Sequence, residues 1–248
     1  MAKLLTSALT VVQQRESQVL MFDDILAQLA LPTLSEDCFN ASTLPDHFVL
    51  SGQAQGRGTT YFIDSGNARL VLRHYRRGGL IRKLSEDGFI FTGLSRTRPY
   101  QELTLLKKMR DWQLPCPTPI GGRVQRHGLT WQGDILTERI ANATDAHQRL
   151  LKMELTAIEW RHIGATIKRF HQRQIYHHDL NIHNIMLDSE GQAWLIDFDK
   201  CALKRGEKWK IGNLRRLLRS LNKENELNSD YGFSPHNWQM LVDGYQGT

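Results

Sequence analysis

Residues 176–188 read YHHDLNIHNIMLD and residues 195–201 read LIDFDKC. Asp179 and Asn184 stand five positions apart, and Asp197 follows thirteen later. A carboxylate in a polar loop can orient an alcohol and receive its proton. An Asn carbonyl and a further carboxylate are hard oxygen donors of the kind that hold Mg2+. Taken singly, each residue is well explained as a former of turns or caps. Three of them at these separations, each beside an apolar strand, are not.

The elements that must position these residues fall into two halves. To about Ile140 the chain reads as strands and turns with one good helix. Thr60–Ile63, Leu70–Leu72 and Ile135–Leu136 carry strand patterns, and DSGN at Asp64–Asn67 joins the first two as a hairpin. The helix is predicted from about Pro99 to Met109, with proline in its first turn and Leu103, Leu106 and Met109 at helical spacing. PCPTP at Pro115–Pro119 ends it as a rigid connection. The second half is mainly helical. A helix over about Thr156–His171 places Trp160, Ile163, Ile167 and Phe170 on one apolar face. After it come the polar loop and a hairpin, Ile185–Leu187 and Ala193–Ile196, turned by SEGQ. The first fifty residues carry no usable motif.

The polar loop and the hairpin end resemble the H-R-D-L-x-x-x-N and D-F-G pair of the protein-kinase-like phosphotransferases. His177 takes the place of the motif's His, His178 that of its Arg, and Leu180 and Asn184 fall on its Leu and Asn. The resemblance implies an α+β, bilobal fold with a strand-rich N-lobe and a helical C-lobe, using ATP and Mg2+. It implies Asp179 as the catalytic residue that receives the acceptor's proton, and Asn184 and Asp197 as metal ligands. Asp199 stands where the motif ends in glycine, which argues against a mobile regulatory switch. It either adds a carboxylate near the metal or caps a turn.

Upstream, Gly52, Gly56 and Gly58 precede a strand in the spacing G-x-x-x-G-x-G rather than G-x-G-x-x-G. They suit backbone amides approaching nucleotide phosphates, or an ordinary turn. Arg73 occupies the position of the family's V-A-I-K lysine; it keeps the charge, but its planar fork is not an ammonium. Glu102 on the following helix corresponds to the ion-pair glutamate. Glu138 falls where the chain would pass between lobes, and backbone groups there would bind adenine.

The same segments, with VLRHYRRGGL at Val71–Leu80, resemble the Kdo kinases, which phosphorylate 3-deoxy-D-manno-octulosonic acid (Kdo) in the inner core of bacterial lipopolysaccharide. The resemblance spans roughly Ser51 to Asn222. It implies a Kdo-bearing lipid A precursor as acceptor and an anionic membrane surface as partner. The protein would be peripheral at the cytoplasmic face of the inner membrane, or cytoplasmic. Residues 1–50 would form an extension merging into an N-lobe of 51–140, followed by a C-lobe of 141–248.

Charge distribution is compatible with such an acceptor. Arg69–Lys83 holds six basic residues and no acidic one; Lys200–Lys223 holds nine against Glu207 alone. Such runs attract anionic lipid or are simply solvated faces, and NLRRLLRSLNK also reads as an amphipathic surface helix. The short Lys200–Ile211 stretch leaves little room for an activation loop and peptide platform, which disfavours a protein substrate. A heptose kinase or another small-molecule kinase of the same fold is the nearest alternative, because fold alone does not choose a substrate. A nucleotide-binding pseudokinase is opposed by the retention of Asp179, Asn184 and Asp197. No RNA-binding signature is present, and no nucleic-acid partner is expected.

Composition sets the background. Across 248 residues, 40% hydrophobic and 23% charged excludes global disorder. Lys plus Arg is 32 against 26 for Asp plus Glu, a net charge of +6 that suits anionic partners. Cys38, Cys116 and Cys201 are odd in number and never paired as C-x-x-C, so neither a disulfide framework nor a structural zinc is expected, and a reducing cytoplasm is the simplest compartment. Leu4–Val12 is broken by polar residues and lacks a cleavage site, so no secretion signal is expected. No apolar run approaches the ~20 residues needed to cross a bilayer.

Overall fold

The computed structural model describes residues 8–55, 59–76, 88–152 and 155–247. The chain divides into two units, Met1–Asp111 with Thr118–Arg139, and Trp112–Pro117 with Ile140–Thr248.

The first unit contains β1 (Thr10–Gln14), β2 (Ser17–Met21), α1 (Asp23–Gln28), β3 (Val49–Gln55), β4 (Thr59–Ser65), β5 (Ala68–His74), β6 (Phe89–Ile90), α2 (Arg98–Asp111), β7 (Pro119–His127) and β8 (Thr130–Glu138). The strands form one antiparallel sheet in the order β1-β2-β7-β8-β5-β4-β3, with β6 also paired to β8. The β4–β5 hairpin is tighter than the sequence suggests. Ser65 pairs with Ala68, so the turn is Gly66-Asn67 alone, with Gly66 at φ +56°. Ala68, Leu70 and Leu72 alternate into the core while Arg69 points to solvent.

Helix α2 lies close over β7 and β8. A Cβ on Gly122 would come 3.1 Å from Leu103, and one on Gly133 would come 2.8 Å from Pro99. Paired glycines therefore let Pro99 and Leu103 sit directly on the sheet. This seating presents Glu102 to the strand that carries Arg73.

The second unit contains β9 (Thr144–Asp145), α3 (Ala146–Leu150), α4 (Ala157–Gln172), β10 (Ile175–Tyr176), β11 (Ile185–Leu187), β12 (Ala193–Leu195), β13 (Ala202–Leu203), α5 (Lys208–Leu227) and α6 (Pro235–Gln246). Helix α4 starts in a capping box: Thr156 Oγ1 accepts from Glu159 N, and Glu159 Oε2 accepts from Thr156 N. Its predicted apolar face is buried, with Trp160 and Ile163 fully enclosed. Helix α6 crosses α4 at Gly164 and Gly244, where the helix backbones meet without intervening side chains. The predicted hairpin is present as β11 paired with β12, and β9 joins β11 on its other edge. No helix among the described residues is long and apolar enough to cross a membrane. A strand-rich N-terminal unit followed by a helical one is the protein-kinase-like arrangement of elements.

Gly164→Ala tests the α4–α6 contact. A Cβ there would overlap the carbonyl oxygen of Leu241, a backbone atom that cannot move alone. The expected cost is about 1–3 kcal/mol, seen as a lower urea midpoint for the helical unit. An unchanged midpoint would show that this crossing is loose.

Candidate active site

The three candidate residues Asp179, Asn184 and Asp197 all lie in the second unit. Strand β10 leads into residues 177–184, which end in a short 3-10 turn, Ile182–Asn184. Asn181 caps that turn, its Oδ1 accepting from His183 N at 2.9 Å. Asn181 and Asn184 both donate side-chain N–H to the carbonyl oxygen of Asp179, at 3.0 and 2.9 Å. The backbone bearing Asp179 is thereby held from two sides.

Helix α5 holds the loop from outside. Asn213 brackets His177, with Oδ1 accepting from its backbone N (3.3 Å) and Nδ2 donating to its carbonyl (2.8 Å). Arg216 Nη1 lies 3.1 Å from Asp179 Oδ1, Ser220 Oγ accepts from Ile182 N at 3.2 Å, and Glu224 Oε1 lies 3.2 Å from His183 Nε2. Positions 213, 216, 220 and 224 recur at intervals of three or four, which is one face of a helix. Each turn of α5 reaches one successive part of the loop.

Two further contacts fix Asp197 against this loop. Ile196 N donates to the Asn184 carbonyl at 3.1 Å. His177 Nε2 donates to the Ile196 carbonyl at 3.0 Å. Burial holds the His177 imidazole below its usual range, so it acts as a neutral donor rather than a charge. Phe198 is buried beside the His177 and Phe170 rings, so the residue following Asp197 is an anchor. Asp197 itself sits at φ +61°, an uncommon conformation for an aspartate, imposed by these contacts. The backbone bond from Ile196 to Asn184 therefore sets Asp197, the next residue, beside the segment that carries Asn184. With its amide nitrogen committed to Asp179, Asn184 has its side-chain oxygen left for a cation. That oxygen and the Asp197 carboxylate are a donor set that fits Mg2+.

The chain after Asp197 is short and tied down. Lys200 adopts φ +59°, His178 N donates to Cys201 Sγ at 3.2 Å, and β13 pairs with β10 before α5 begins. Near the far end of α5, His147, His183 and Glu224 place three potential ligand atoms within 4.8 Å of one another. Their mutual contacts, with Tyr231 Oη 3.1 Å from His147 Nδ1, account for this grouping without an ion.

In the first unit, Arg73 Nη2 donates to Glu102 Oε1 at 2.7 Å, and Tyr75 Oη donates to Glu102 Oε2 at 2.6 Å. Glu102 is buried, with both oxygens engaged. Tyr75 lies two residues beyond Arg73, just past the end of β5, and that period-two spacing is the signal by which the sequence could have disclosed it. The Glu138 N–H donates to the Thr118 carbonyl and the Arg139 N–H to the Arg69 carbonyl, at 2.8 and 2.7 Å. The Glu138 and Arg139 amides are thus both engaged within the unit. Gly56 and Gly58 fall outside the described residues, as do Arg77, Arg82 and Lys83 of the first basic run.

A strand-rich unit with an arginine paired to a buried glutamate, followed by a helical unit whose loop and hairpin end present Asp179, Asn184 and Asp197, defines a phosphotransferase of the protein-kinase-like class. The model of the lipopolysaccharide kinase (Kdo/WaaP) family matches residues 46–245, and the chain belongs to that family. It is 44% identical over 216 residues to a 3-deoxy-D-manno-octulosonic acid kinase of Photobacterium profundum, covering 86% of this chain and 91% of the relative. A protein of the same name from Vibrio cholerae is 44% identical over 84% of this chain and 86% of its own length. Another, from Haemophilus influenzae, is 44% identical over 78% of this chain and 83% of its own.

A buried histidine against the loop-holding helix sets a pH limit. His171 on α4 contacts Tyr245 Oη at 2.9 Å and Asn213 Oδ1 at 3.4 Å, and burial lowers its pKa from 6.5 to about 4. The unfolded chain binds a proton near pH 6.5, whereas the folded one resists it until about 4. Stability is therefore full above that window and lost as pH falls through it, by on the order of 3 kcal/mol. Urea midpoints at pH 7.5 and 5 should show the loss, and His171→Gln should shrink it. An equal pH slope in that variant would exclude His171 as the cause.

Proposed function

We propose that this protein transfers the γ-phosphoryl group of ATP to a hydroxyl of Kdo in the lipopolysaccharide inner core. The observation that carries the reading is the joint placement of Asp179, Asn184 and Asp197 by one helix and one hairpin, in a chain 44% identical to proteins named for this activity. The acceptor oxygen attacks the γ-phosphorus, the bond from that phosphorus to the bridging oxygen breaks, and ADP leaves. Asp179 orients the acceptor hydroxyl and takes its proton. Mg2+, held by Asn184 and Asp197, would neutralise phosphate charge. In the N-terminal unit, Arg73, fixed by Glu102, serves the nucleotide phosphates; backbone where the chain passes Glu138 serves adenine.

The acceptor is read as a Kdo-bearing lipid A precursor presented at an anionic membrane surface. Arg215 and Arg219 on α5 are exposed, as is Arg76 after β5, and these serve the surface. Arg216 differs, because it is paired with Asp179.

Mass spectrometry of Kdo-lipid A precursor after incubation with the protein and Mg-ATP tests the function. A gain of one phosphate on Kdo is expected; phosphate on a heptose-bearing acceptor instead would move the protein to the heptose kinases. Asp179→Ala should reduce turnover at least ~100-fold while nucleotide still binds, and near-normal turnover would remove it from the mechanism. Asp197→Asn should shift the magnesium titration to higher concentrations, since a carboxylate ligand becomes neutral; an unchanged curve would exclude it as a ligand.

The membrane reading is checked separately. Arg215→Glu with Arg219→Glu should impair use of vesicle-bound acceptor more than of a soluble Kdo glycoside. That difference should fade as salt shortens the ~10 Å screening length at 0.1 M. Equal effects on both acceptors would make these arginines solvated surface only.

A further inference from the structure

Of the four α5 side chains that hold the loop, three serve its architecture. Asn213 and Ser220 bind backbone groups, and Glu224 binds the exposed imidazole of His183. Arg216 alone grips the carboxylate assigned to proton transfer. A purely structural tie would be buried and would use the guanidinium fork. Instead the contact runs from one nitrogen to one oxygen at 3.1 Å, with the Arg216 side chain 42% exposed and that of Asp179 33% exposed. Both ends of this pair are therefore open to a bound molecule. The fork retains donors suited to a second carboxylate, which arginine binds in parallel, two-bond geometry.

We propose that Arg216 is the subsite for the carboxylate of an acidic sugar acceptor, and that it sets the preference for such acceptors. This rests on the reading of the acceptor as Kdo, a sugar that carries a carboxylate and its hydroxyls in one small unit. Without acceptor, Arg216 pairs with Asp179. With acceptor, the sugar carboxylate takes the guanidinium, and this delivers a hydroxyl of the same sugar to Asp179. One residue thus links recognition of the acidic group to placement of the reacting one. A neutral sugar offers the guanidinium only hydroxyl acceptors, which do not compete with the Asp179 carboxylate for it.

The test uses the full-length protein and two acceptors in mixed micelles: Kdo-lipid A precursor, and the same compound with its Kdo carboxylate converted to the primary amide. The wild-type protein should use the native acceptor with a KM roughly 10- to 100-fold lower than the amide's, the span expected for a hydrogen bond to a charged group. Arg216→Gln should raise KM for the native acceptor by a similar factor, leave KM for ATP unchanged and so abolish the preference for the native acceptor over the amide. Arg216→Lys should keep part of the preference, and it decides the matter if the Gln variant does not fold. Equal losses on both acceptors would overturn the proposal and reduce Arg216 to a residue that positions Asp179. If the wild-type protein phosphorylates a sugar other than Kdo, the functional reading falls first and the subsite falls with it.

Discussion

Residues 177–181 belong to no strand or helix, and their position depends on polar side chains of α5 arriving at the correct heights. A loop of this kind loses about 1–2 kcal/mol of backbone entropy per residue on being fixed. Each neutral hydrogen bond returns only ~1 kcal/mol, so scattered contacts would not hold it. The helix solves this by repetition. Because α5 is itself anchored by Leu217 and Leu221 in the core, its polar face acts as a rigid ruler laid along the loop. Asn213 contacts both polar backbone groups of His177, and His177 in turn reaches Ile196, so the grip passes from helix to loop to hairpin end.

A parallel economy governs the first unit. Glu102 is a buried carboxylate, which is tolerable only with both oxygens satisfied. Arg73 and Tyr75 satisfy one each, and the close seating of α2 on Gly122 and Gly133 brings the carboxylate to them. An arginine differs here from a lysine in geometry as well as in length. It can bind Glu102 through one nitrogen and still direct other donors elsewhere, which a single ammonium does less readily.

Much of this was legible because it is local. The separations of Asp179, Asn184 and Asp197, the β4–β5 hairpin and the capped helix α4 are written in short stretches of sequence. Strands β1 and β2 were not legible, because their connection at Arg15-Glu16 has no turn-forming residue; Arg15 adopts φ +47° without being glycine. Strand β7 was obscured by Gly121-Gly122, which resemble a turn but, at Gly122, make room for α2. The α5 face was hidden for a different reason. Its residues at 213, 216, 220 and 224 read as the polar side of a surface helix, and nothing in one sequence reveals that their partners lie some forty residues upstream.

The basic run on α5 therefore has two roles that charge counting merges. Arg215 and Arg219 point to solvent, whereas Arg216, their neighbour, is turned into the transfer site. The segment beyond Asp197 leaves no comparable freedom: Phe198 is locked in the core and β13 is paired almost at once. The ion pair between Arg216 and Asp179, exposed at both ends, is the contact that the proposed acceptor carboxylate would exchange for its own.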